Sequence, residues 1–313
     1  MVKSVSAYFS DIVFPAIAKR FPWLVGHISV QLQGSFGLGI ADQYSDLDAV
    51  IWLDDAHWQS DGAALQLMLI HDIPRFLTTT SEQSDHPEIV VHPMSWLGRL
   101  HAFLEDGSDQ PWEEIAVEQL FQIQKNAVLV DASETFAKLR QATTPQLFPL
   151  PIWRKRLVKN LLRLQEDMSD WRKTILRRRS MESSIFTAEI LRTSLTTGFL
   201  ICRQYWPWRT HLRWAFAQLD PDVASVLPWL DELAGSTDLD LAETCLNSVL
   251  EAFTEAIIRR ELLSRDILAD LLWADRLAAW DNSQWQDYLR YCRTQAEQRG
   301  WAPEDFWIVS LWK

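Results

Sequence analysis

The sequence has few residues of the kinds that bind metals through sulfur or through imidazole motifs. Its 313 residues include three cysteines, Cys202, Cys245 and Cys292, which are too scattered for a zinc-binding spacing. The seven histidines are dispersed as well, and neither an HxxxH nor an HExxH motif occurs. We therefore expect buried free thiols, and these absences argue against a zinc enzyme.

Long apolar runs and a secretory signal are missing too. No window reaches the roughly 18 consecutive apolar residues that a membrane-spanning helix requires. The first residues, MVKSVSAYFSDIVF, lack the apolar segment and the small-residue cleavage site of a signal peptide. We expect a cytoplasmic protein without membrane association, present as a monomer or homodimer.

Positive charge is in deficit, because 30 Lys and Arg residues stand against 42 Asp and Glu residues, for a net charge of −12. Broad binding of extended nucleic acid relies on a positive surface, so this class of partner is disfavoured. A small basic pocket for one nucleotide remains compatible with the sequence. Ten of the 30 basic residues lie between Arg154 and Arg179.

The first half of the chain alternates helical and strand patterns. The segment SVSAYFSDIVFPAIAKRF has apolar residues at helical spacing, and Pro15 is expected to kink or end that helix. A second helix is predicted over GAALQLMLIHDIPRFL. Three short runs predict strands: HISVQLQG, DLDAVIWLDD and EIVVHPMSW. This order of elements predicts an α/β domain.

From about Trp112 the strand signal weakens, and helical patterns surround one short strand-like segment, AVLVD. The proline-rich segment TTPQLFPLP predicts a linker. Four amphipathic stretches beyond it predict a helical bundle: WRKRLVKNLLRLQEDMSDWRKTIL, FTAEILRTSLTTGFLICRQYW, AETCLNSVLEAFTEAIIRRELLSRDIL and ADRLAAWDNSQWQDYLRYCRTQA. The sequence therefore predicts an α/β (α+β) domain over residues 1–145, followed by an all-α helical-bundle domain over residues 146–313.

The segment GSFGLGIADQYSDLD, residues 34–48, carries the residues with the clearest chemistry. Gly34 lets the backbone approach a phosphate closely, and the Ser35 hydroxyl adds a donor. Asp46 and Asp48 are two apart on a predicted strand, so their carboxylates share a face while Leu47 points into the core. Paired carboxylates repel unless a cation lies between them, and hard oxygen ligands suit Mg²⁺. A plain turn with solvated aspartates is the alternative.

This segment resembles the signature of the DNA polymerase β-type nucleotidyltransferase superfamily, Gly-Ser followed by Asp-x-Asp, and the likeness covers roughly residues 28–100. It implies a nucleotidyltransferase fold with a mixed β-sheet, Mg²⁺ bound by Asp46 and Asp48, and a nucleoside triphosphate contacted by Gly34 and Ser35. Length and layout are similar to those of antibiotic nucleotidyltransferases of the aminoglycoside and lincosamide kind. LICRQYWPWRTHLRWAFAQL, residues 200–219, resembles a segment of a bacterial family of nucleotidyltransferase-like proteins without assigned function.

Members of the superfamily usually carry a third carboxylate on a later strand, which completes the metal site and can act as base for the acceptor hydroxyl. Glu88 is the candidate for this catalytic and metal-binding role, although it lies at the start of its predicted strand. Counting back from Pro93 places the expected position nearer Val90. Asp85 is a fallback, and His92 shares the predicted face of Glu88. A plain exposed glutamate is the alternative interpretation.

The helical half offers further candidates. A base can come from this half in some antibiotic nucleotidyltransferases, and Glu182 or Glu189 would supply it here, with a solvated helix glutamate as the simpler interpretation. Lys173, together with Arg177–Arg179, can neutralise a triphosphate or pyrophosphate, or can simply be solvated. Arg209 and Arg213 are four apart and share a helix face, so both can reach one ligand.

Two hypotheses for the function follow. The first is an Mg²⁺-dependent nucleotidyltransferase that transfers AMP from ATP to a hydroxyl of a small-molecule acceptor, such as an antibiotic, and releases pyrophosphate. The acidic net charge suits a polycationic acceptor such as an aminoglycoside. The second is a catalytically weak or inactive nucleotide-binding or interaction module, antitoxin-like, on the same fold. The absence of a third carboxylate would favour the second.

Overall fold

A computed structural model describes residues 4–76, 88–105, 111–236 and 238–265, together with Leu268 and Thr294. The chain divides into two compact units, Met1–Leu147 and Phe148–Lys313. The division falls within the proline-rich segment TTPQLFPLP. Each unit is built around its own elements.

The N-terminal helical segment passes through Pro15 instead of ending there. Helix α1 (Val5–Tyr8) leads into a π-helical turn, Phe9–Val13, and helix α2 (Phe14–Arg20) follows directly. Pro15 occupies the first turn of α2. A proline has no backbone N–H to donate, and the wider π turn before it accommodates the missing hydrogen bond, so of the two expectations, a kink or an end, the end does not occur at this residue.

A four-stranded mixed sheet forms the centre of the first unit. Its strands lie in the order β3-β2-β1-β4. Their bounds are Ile28–Leu32 for β1, Ala49–Leu53 for β2, Ile89–Pro93 for β3 and Val128–Asp131 for β4. Strand β1 is antiparallel to both of its neighbours, whereas β2 and β3 are parallel. The segment AVLVD, predicted as strand-like, therefore completes the sheet as β4.

One face of this sheet carries the main apolar core of the unit. Val30, Ile51 and Val91 point to this face, and the helical segment α1–α2 covers it with residues such as Phe9 and Ile17. Because side chains alternate along a strand, the residues between them point to the opposite face. That face is lined by a different set: Ser29, Gln31, Val50, Trp52, Val90 and His92.

Further helices flank the sheet and connect its strands. Between β1 and β2 lies α3 (Gly34–Leu38). Helices α4 (Asp55–His57) and α5 (Ala63–His71) follow β2, with a π turn, Trp58–Gly62, between them. The outer edge of β3 is met by α5, where the Gln66 amide donates to the Ile89 carbonyl oxygen at 2.9 Å and accepts from the Val91 N–H at 2.8 Å. Helices α6 (Val117–Lys125) and α7 (Thr135–Ala142) lie on either side of β4 in the sequence.

The second unit is helical throughout its described residues. Its helices are α8 (Leu150–Leu176), α9 (Ser180–Ile201), α10 (Leu212–Phe216), α11 (Pro221–Ala224), α12 (Leu227–Gly235) and α13 (Leu239–Arg259). A core between α8, α9, α12 and α13 contains Leu164, Trp171, Ile190, Leu233 and Leu246. Apart from Thr294, the predicted helix ADRLAAWDNSQWQDYLRYCRTQA lies outside the described residues.

The described residues thus form a mixed sheet with helices, followed by a helical region, which confirms the coarse fold class that the sequence predicts. Among the helices of the described residues, none has both the length and the apolar character needed to cross a lipid bilayer.

Candidate functional site

The turn between β1 and α3 places a glycine directly against an aspartate. Gly34 adopts a φ of +53°, a left-handed conformation that favours glycine. A Cβ atom at Gly34 would lie 3.0 Å from Asp48 Oδ2. The backbones join here as well, because the Gln33 N–H donates to the Asp48 carbonyl oxygen at 2.7 Å. Two residues that are 14 positions apart in the sequence therefore occupy one site.

Helix α3 is held against the sheet on its inner side. A Cβ atom at Gly37 would lie 2.5 Å from the Leu32 carbonyl oxygen, so only a glycine permits this close approach. The Gly37 carbonyl oxygen accepts a hydrogen bond from the Ala127 N–H at 2.8 Å. Gly39 ends α3 in the left-handed conformation, with a φ of +71°. Ser35 lies in the single turn of helix between these contacts, and its carbonyl oxygen accepts from the Ile40 N–H at 2.9 Å.

The two aspartates precede β2 instead of lying within it. Strand β2 begins at Ala49, three residues later than the predicted start at Asp46. The expected alternation nevertheless holds, because Leu47 is fully buried while Asp46 is exposed and Asp48 is half-buried. Both carboxylates therefore flank a residue that is anchored in the core.

The loop before Asp46 is closed by its own polar side chains. The Asp42 carboxylate accepts hydrogen bonds from the Tyr44 N–H at 2.9 Å and from the Ser45 hydroxyl at 3.0 Å. The Ser45 hydroxyl oxygen accepts in turn from the Asp42 N–H at 3.0 Å. The Tyr44 N–H is the largest cause that holds the pKa of Asp42 below its usual value. This turn leads the chain into Asp46.

Glu88 lies level with Asp48 along the backbone. Strands β2 and β3 are paired so that Ala49 is opposite Ile89, and the Ala49 N–H donates to the Glu88 carbonyl oxygen at 3.0 Å. The Glu88 carboxylate accepts from the Phe76 N–H at 2.8 Å. Burial, with a contribution from the Glu88 charge, raises the pKa of Tyr8 to about 12. The Glu88 backbone therefore lies beside the site, whereas the Glu88 carboxylate is hydrogen-bonded to the Phe76 N–H.

The strand positions beyond Glu88 do not offer another carboxylate. Val90 is paired with Val50, at the place where counting back from Pro93 puts the third ligand. His92 lies between two indoles, with ring centroids 5.8 Å from Trp52 and 4.5 Å from Trp96. Burial lowers the pKa of His92, so its ring is neutral near pH 7 and serves packing. The fallback residue, Asp85, lies outside the described residues.

The donor set at this end of the sheet suits a hard divalent cation. Asp46 and Asp48 present carboxylate oxygens, and the glycine at position 34 has no Cβ to crowd the Asp48 carboxylate. The structure does not draw the Asp46, Asp48 and Glu88 carboxylates into one cluster: among the described residues, the set with ligand atoms all within 4.8 Å of one another is His27, Asp54 and His57.

This second cluster was not predicted from the sequence. His27 immediately precedes β1 and Asp54 immediately follows β2, and the two strands are antiparallel. The order of the predicted strands was therefore a signal that the two residues meet, although no local histidine motif marks them.

In the second unit, the predicted basic residues lie in the last turn of α8 and in the connection between α8 and α9. The Lys173 ammonium donates to Asp170 Oδ1 at 2.8 Å on the exposed face of α8. Arg178 has a φ of +56° in the turn itself. Arg178 and Arg179 line an open cavity of about 560 Å³, together with Ser180, Ser183, Ser184 and Thr187. Arg177, although in the same turn, is not among the lining residues.

The two glutamates proposed as an alternative base differ in their surroundings. Glu189 accepts hydrogen bonds from Arg163 at 3.2 Å and from Arg192 at 2.8 Å. The Arg192 hydrogen bond is the main cause that lowers the pKa of Glu189, and a base needs the opposite shift. Glu182 lies half-buried in the first turn of α9.

Arg209 and Arg213 do not share one helix. Arg209 begins a 3₁₀ turn, Arg209–His211, whereas Arg213 belongs to α10. The Arg213 guanidinium binds the Asp231 carboxylate through two hydrogen bonds, one of them at 2.8 Å. The 3₁₀ turn that holds Arg209 runs directly into α10, and the Asp231 carboxylate engages Arg213, so a ligand reached by both arginines stays a prediction. Arg209 is exposed.

Comparisons with known proteins add two likenesses. A family described as "Domain of unknown function (DUF4037)" matches residues 112–215, about a third of the chain. A crystal structure of a nucleotidyltransferase-like protein from Exiguobacterium sibiricum is similar over 79% of each chain, with 11% identity and a TM-score of 0.35. No curated protein was found to be similar to the chain. Neither likeness assigns an activity to it.

Proposed function

We propose that the chain is an Mg²⁺-dependent nucleotidyltransferase that transfers AMP from ATP to a hydroxyl of a small molecule. One observation carries this proposal: the close approach of Gly34 to the Asp48 carboxylate, with a Cβ at Gly34 only 3.0 Å from Asp48 Oδ2. This contact joins the turn that would face a phosphate to the carboxylates that would face a cation.

The residues of this site have separate tasks in the proposed reaction. Gly34 and Ser35 approach the triphosphate from the backbone side, because a glycine leaves no Cβ to keep an anion away. Asp46 and Asp48 bind Mg²⁺, which neutralises the triphosphate charge and holds it in line with the acceptor. Lys173 and Arg209, which the sequence predicts as nucleotide-binding groups, belong to the second unit, and the proposal does not depend on them.

The chemical step is a displacement at the α-phosphorus of ATP. The acceptor oxygen forms a new bond to this phosphorus, while the bond from phosphorus to the bridging oxygen of the leaving pyrophosphate breaks. The acceptor proton passes to a base, for which Glu88 is the candidate because its backbone lies level with Asp48. An acceptor that is a polycation, such as an aminoglycoside, suits the net charge of −12.

A second candidate function is a nucleotide-binding module without turnover, which would act through interaction with another protein. The surroundings of the candidate third carboxylate favour this function. The Glu88 carboxylate accepts a hydrogen bond from the Phe76 N–H at 2.8 Å, and the next position on the same face of β3 is Val90, which has no carboxylate. This module would bind ATP with Mg²⁺ and release no pyrophosphate.

Pyrophosphate release from ATP tests the first function. The full chain is incubated with Mg²⁺, ATP and a panel of aminoglycoside, lincosamide and other hydroxyl acceptors. We expect release that depends on one acceptor and is lost in the double variant Asp46→Asn with Asp48→Asn. The matched control is Asp11→Asn with Asp240→Asn, which removes the same charge from two exposed helix positions.

The outcomes separate the hypotheses. Release that survives Asp46→Asn with Asp48→Asn would show that these carboxylates do not carry the reaction. The nucleotide-binding module would be supported if calorimetry showed binding of Mg²⁺ and a non-hydrolysable ATP analogue while no acceptor led to pyrophosphate release. If the wild type neither binds the ATP analogue nor releases pyrophosphate, both functions are rejected.

A further inference from the structure

Three side chains with metal-ligating atoms meet at the end of the sheet opposite Gly34 and Asp48. His27 precedes β1, Asp54 follows β2 and His57 ends α4, so three elements of the fold converge there. The pairing of Ile28 with Leu53 sets His27 opposite Asp54. Along β2 this cluster is about 20 Å from Asp48, since six residues at about 3.3 Å each separate Asp48 from Asp54.

One carboxylate oxygen lies between the two imidazoles. His57 Nδ1 is 2.6 Å from Asp54 Oδ2, and His27 Nδ1 is 3.5 Å from the same oxygen. The two rings are 4.3 Å apart at their centroids. The ligand atoms of all three residues lie within 4.8 Å of one another.

This geometry is close to that of a tetrahedral metal site. With metal–ligand bonds of about 2.0–2.1 Å, two ligand atoms on a tetrahedral ion lie about 3.3 Å apart. The distances of 2.6 Å and 3.5 Å lie on either side of this value, and each differs from it by less than about 1 Å. Binding of the ion would lengthen the 2.6 Å contact between His57 Nδ1 and Asp54 Oδ2, because the metal would replace the proton of that hydrogen bond.

The surroundings support a ligand role for Asp54. Its second oxygen, Oδ1, accepts the His57 N–H at 3.0 Å, which orients the carboxylate before any ion arrives. The side chains of His27 and Asp54 are 51% and 47% exposed, so an ion can enter and a water can complete its coordination.

We propose that His27, Asp54 and His57 form a binding site for a divalent transition metal, Zn²⁺ in the first place. Two imidazole nitrogens and one carboxylate oxygen suit Zn²⁺ and its neighbours in the first transition row, whereas Mg²⁺ prefers oxygen ligands alone. The site is chemically and spatially distinct from the proposed Mg²⁺ site. An ion bound there would link β1, β2 and α4.

Zinc titration of the full chain tests the proposal. Protein stripped with a chelator is titrated with Zn²⁺ in competition with a chromophoric chelator, and the Co²⁺ derivative is examined for the visible absorption of a tetrahedral site. We expect one tight equivalent of Zn²⁺ and a loss of affinity of at least tenfold, roughly, in His27→Gln and in Asp54→Asn. Asparagine can still cap α4, so Asp54→Asn is expected to keep the local fold.

Two controls define the result. His71→Gln changes an exposed histidine on α5 and is expected to leave the affinity for Zn²⁺ unchanged. Asp46→Asn with Asp48→Asn is expected to leave it unchanged as well, which separates this site from the proposed nucleotide site. The proposal would be overturned if the wild type bound no tight equivalent of Zn²⁺, or if neither His27→Gln nor Asp54→Asn weakened the affinity for Zn²⁺. Asp54 would then act only as the hydrogen-bonded N-cap of α4.

Discussion

Replacing Gly34 by alanine perturbs the candidate site at the point where Gly34 lies against the Asp48 carboxylate. The added Cβ atom would lie 3.0 Å from Asp48 Oδ2, closer than an ordinary van der Waals contact. The Asp48 carboxylate must therefore move, by a few tenths of an ångström. We expect Gly34→Ala to weaken binding of Mg²⁺ with an ATP analogue by about tenfold or more, since small misplacements of a binding group are costly in a site of this kind.

The same substitution also strains the backbone, and Gly39 provides the matched control for that effect. Both glycines have a positive φ, +53° at Gly34 and +71° at Gly39, but a Cβ at Gly39 would meet no atom within 4 Å. The left-handed conformation costs a non-glycine residue about 1–2 kcal/mol. Each variant is thus expected to lower the melting temperature by roughly 2–8 °C, while only Gly34→Ala also disturbs Asp48.

Calorimetry at a temperature well below both transitions measures the binding, and thermal unfolding measures the strain. We expect Gly39→Ala to bind the Mg²⁺–ATP analogue within about threefold of the wild type. Equal binding by the two variants would refute the reasoning, because it would mean that the contact between Gly34 and Asp48 has no part in holding the nucleotide.

Two further predictions concern the helical unit. A Cβ at Gly198 would lie 2.2 Å from a ring carbon of Phe216, so Gly198→Ala is expected to lower the free energy of unfolding by about 1–3 kcal/mol in urea denaturation. The control is Gly235→Ala, because a Cβ at Gly235 would meet no atom within 4 Å. An equal loss of stability in both variants would contradict the explanation by overpacking. Burial alone would raise the pKa of Asp222, but the hydrogen bonds and charges of Arg260 and Arg259 together outweigh it and lower that pKa. Its stabilising effect is therefore complete above the ordinary carboxyl value near pH 4 and is lost as the pH falls below that value. Asp222→Asn should be less stable than the wild type at pH 7, and this difference should shrink towards pH 3; a difference independent of pH would contradict the ion-pair explanation.

The strands were predictable because their apolar runs are short and bounded, and the alternation around Leu47 held although its strand starts later than expected. Strand β2 begins at Ala49 because ladder pairing with β3 starts there, at the Ala49–Ile89 pair. Pairing register is a long-range property that the sequence of one strand does not contain. For the same reason, the sequence could not show that the Glu88 carboxylate is engaged by the Phe76 N–H.

Residues that meet only through the fold escaped prediction altogether. His27 and Asp54 are 27 positions apart, and their proximity depends on the antiparallel pairing of β1 with β2. His57 joins them because Asp54 caps α4, which turns the helix back towards the strand end. By contrast, Asp46 and Asp48 could be recognised locally, since two alternating positions are enough to put both carboxylates on one side.

The contact between Gln66 and β3 bears on how this protein behaves at high concentration. Strand β3 is at the border of the sheet, where unpaired backbone groups would accept a strand from another molecule. The Gln66 amide occupies the outward Ile89 carbonyl and Val91 N–H, in the manner of one residue of an additional strand. A single side chain on α5 thereby ends the sheet at four strands within the described residues and protects this border from edge-to-edge aggregation.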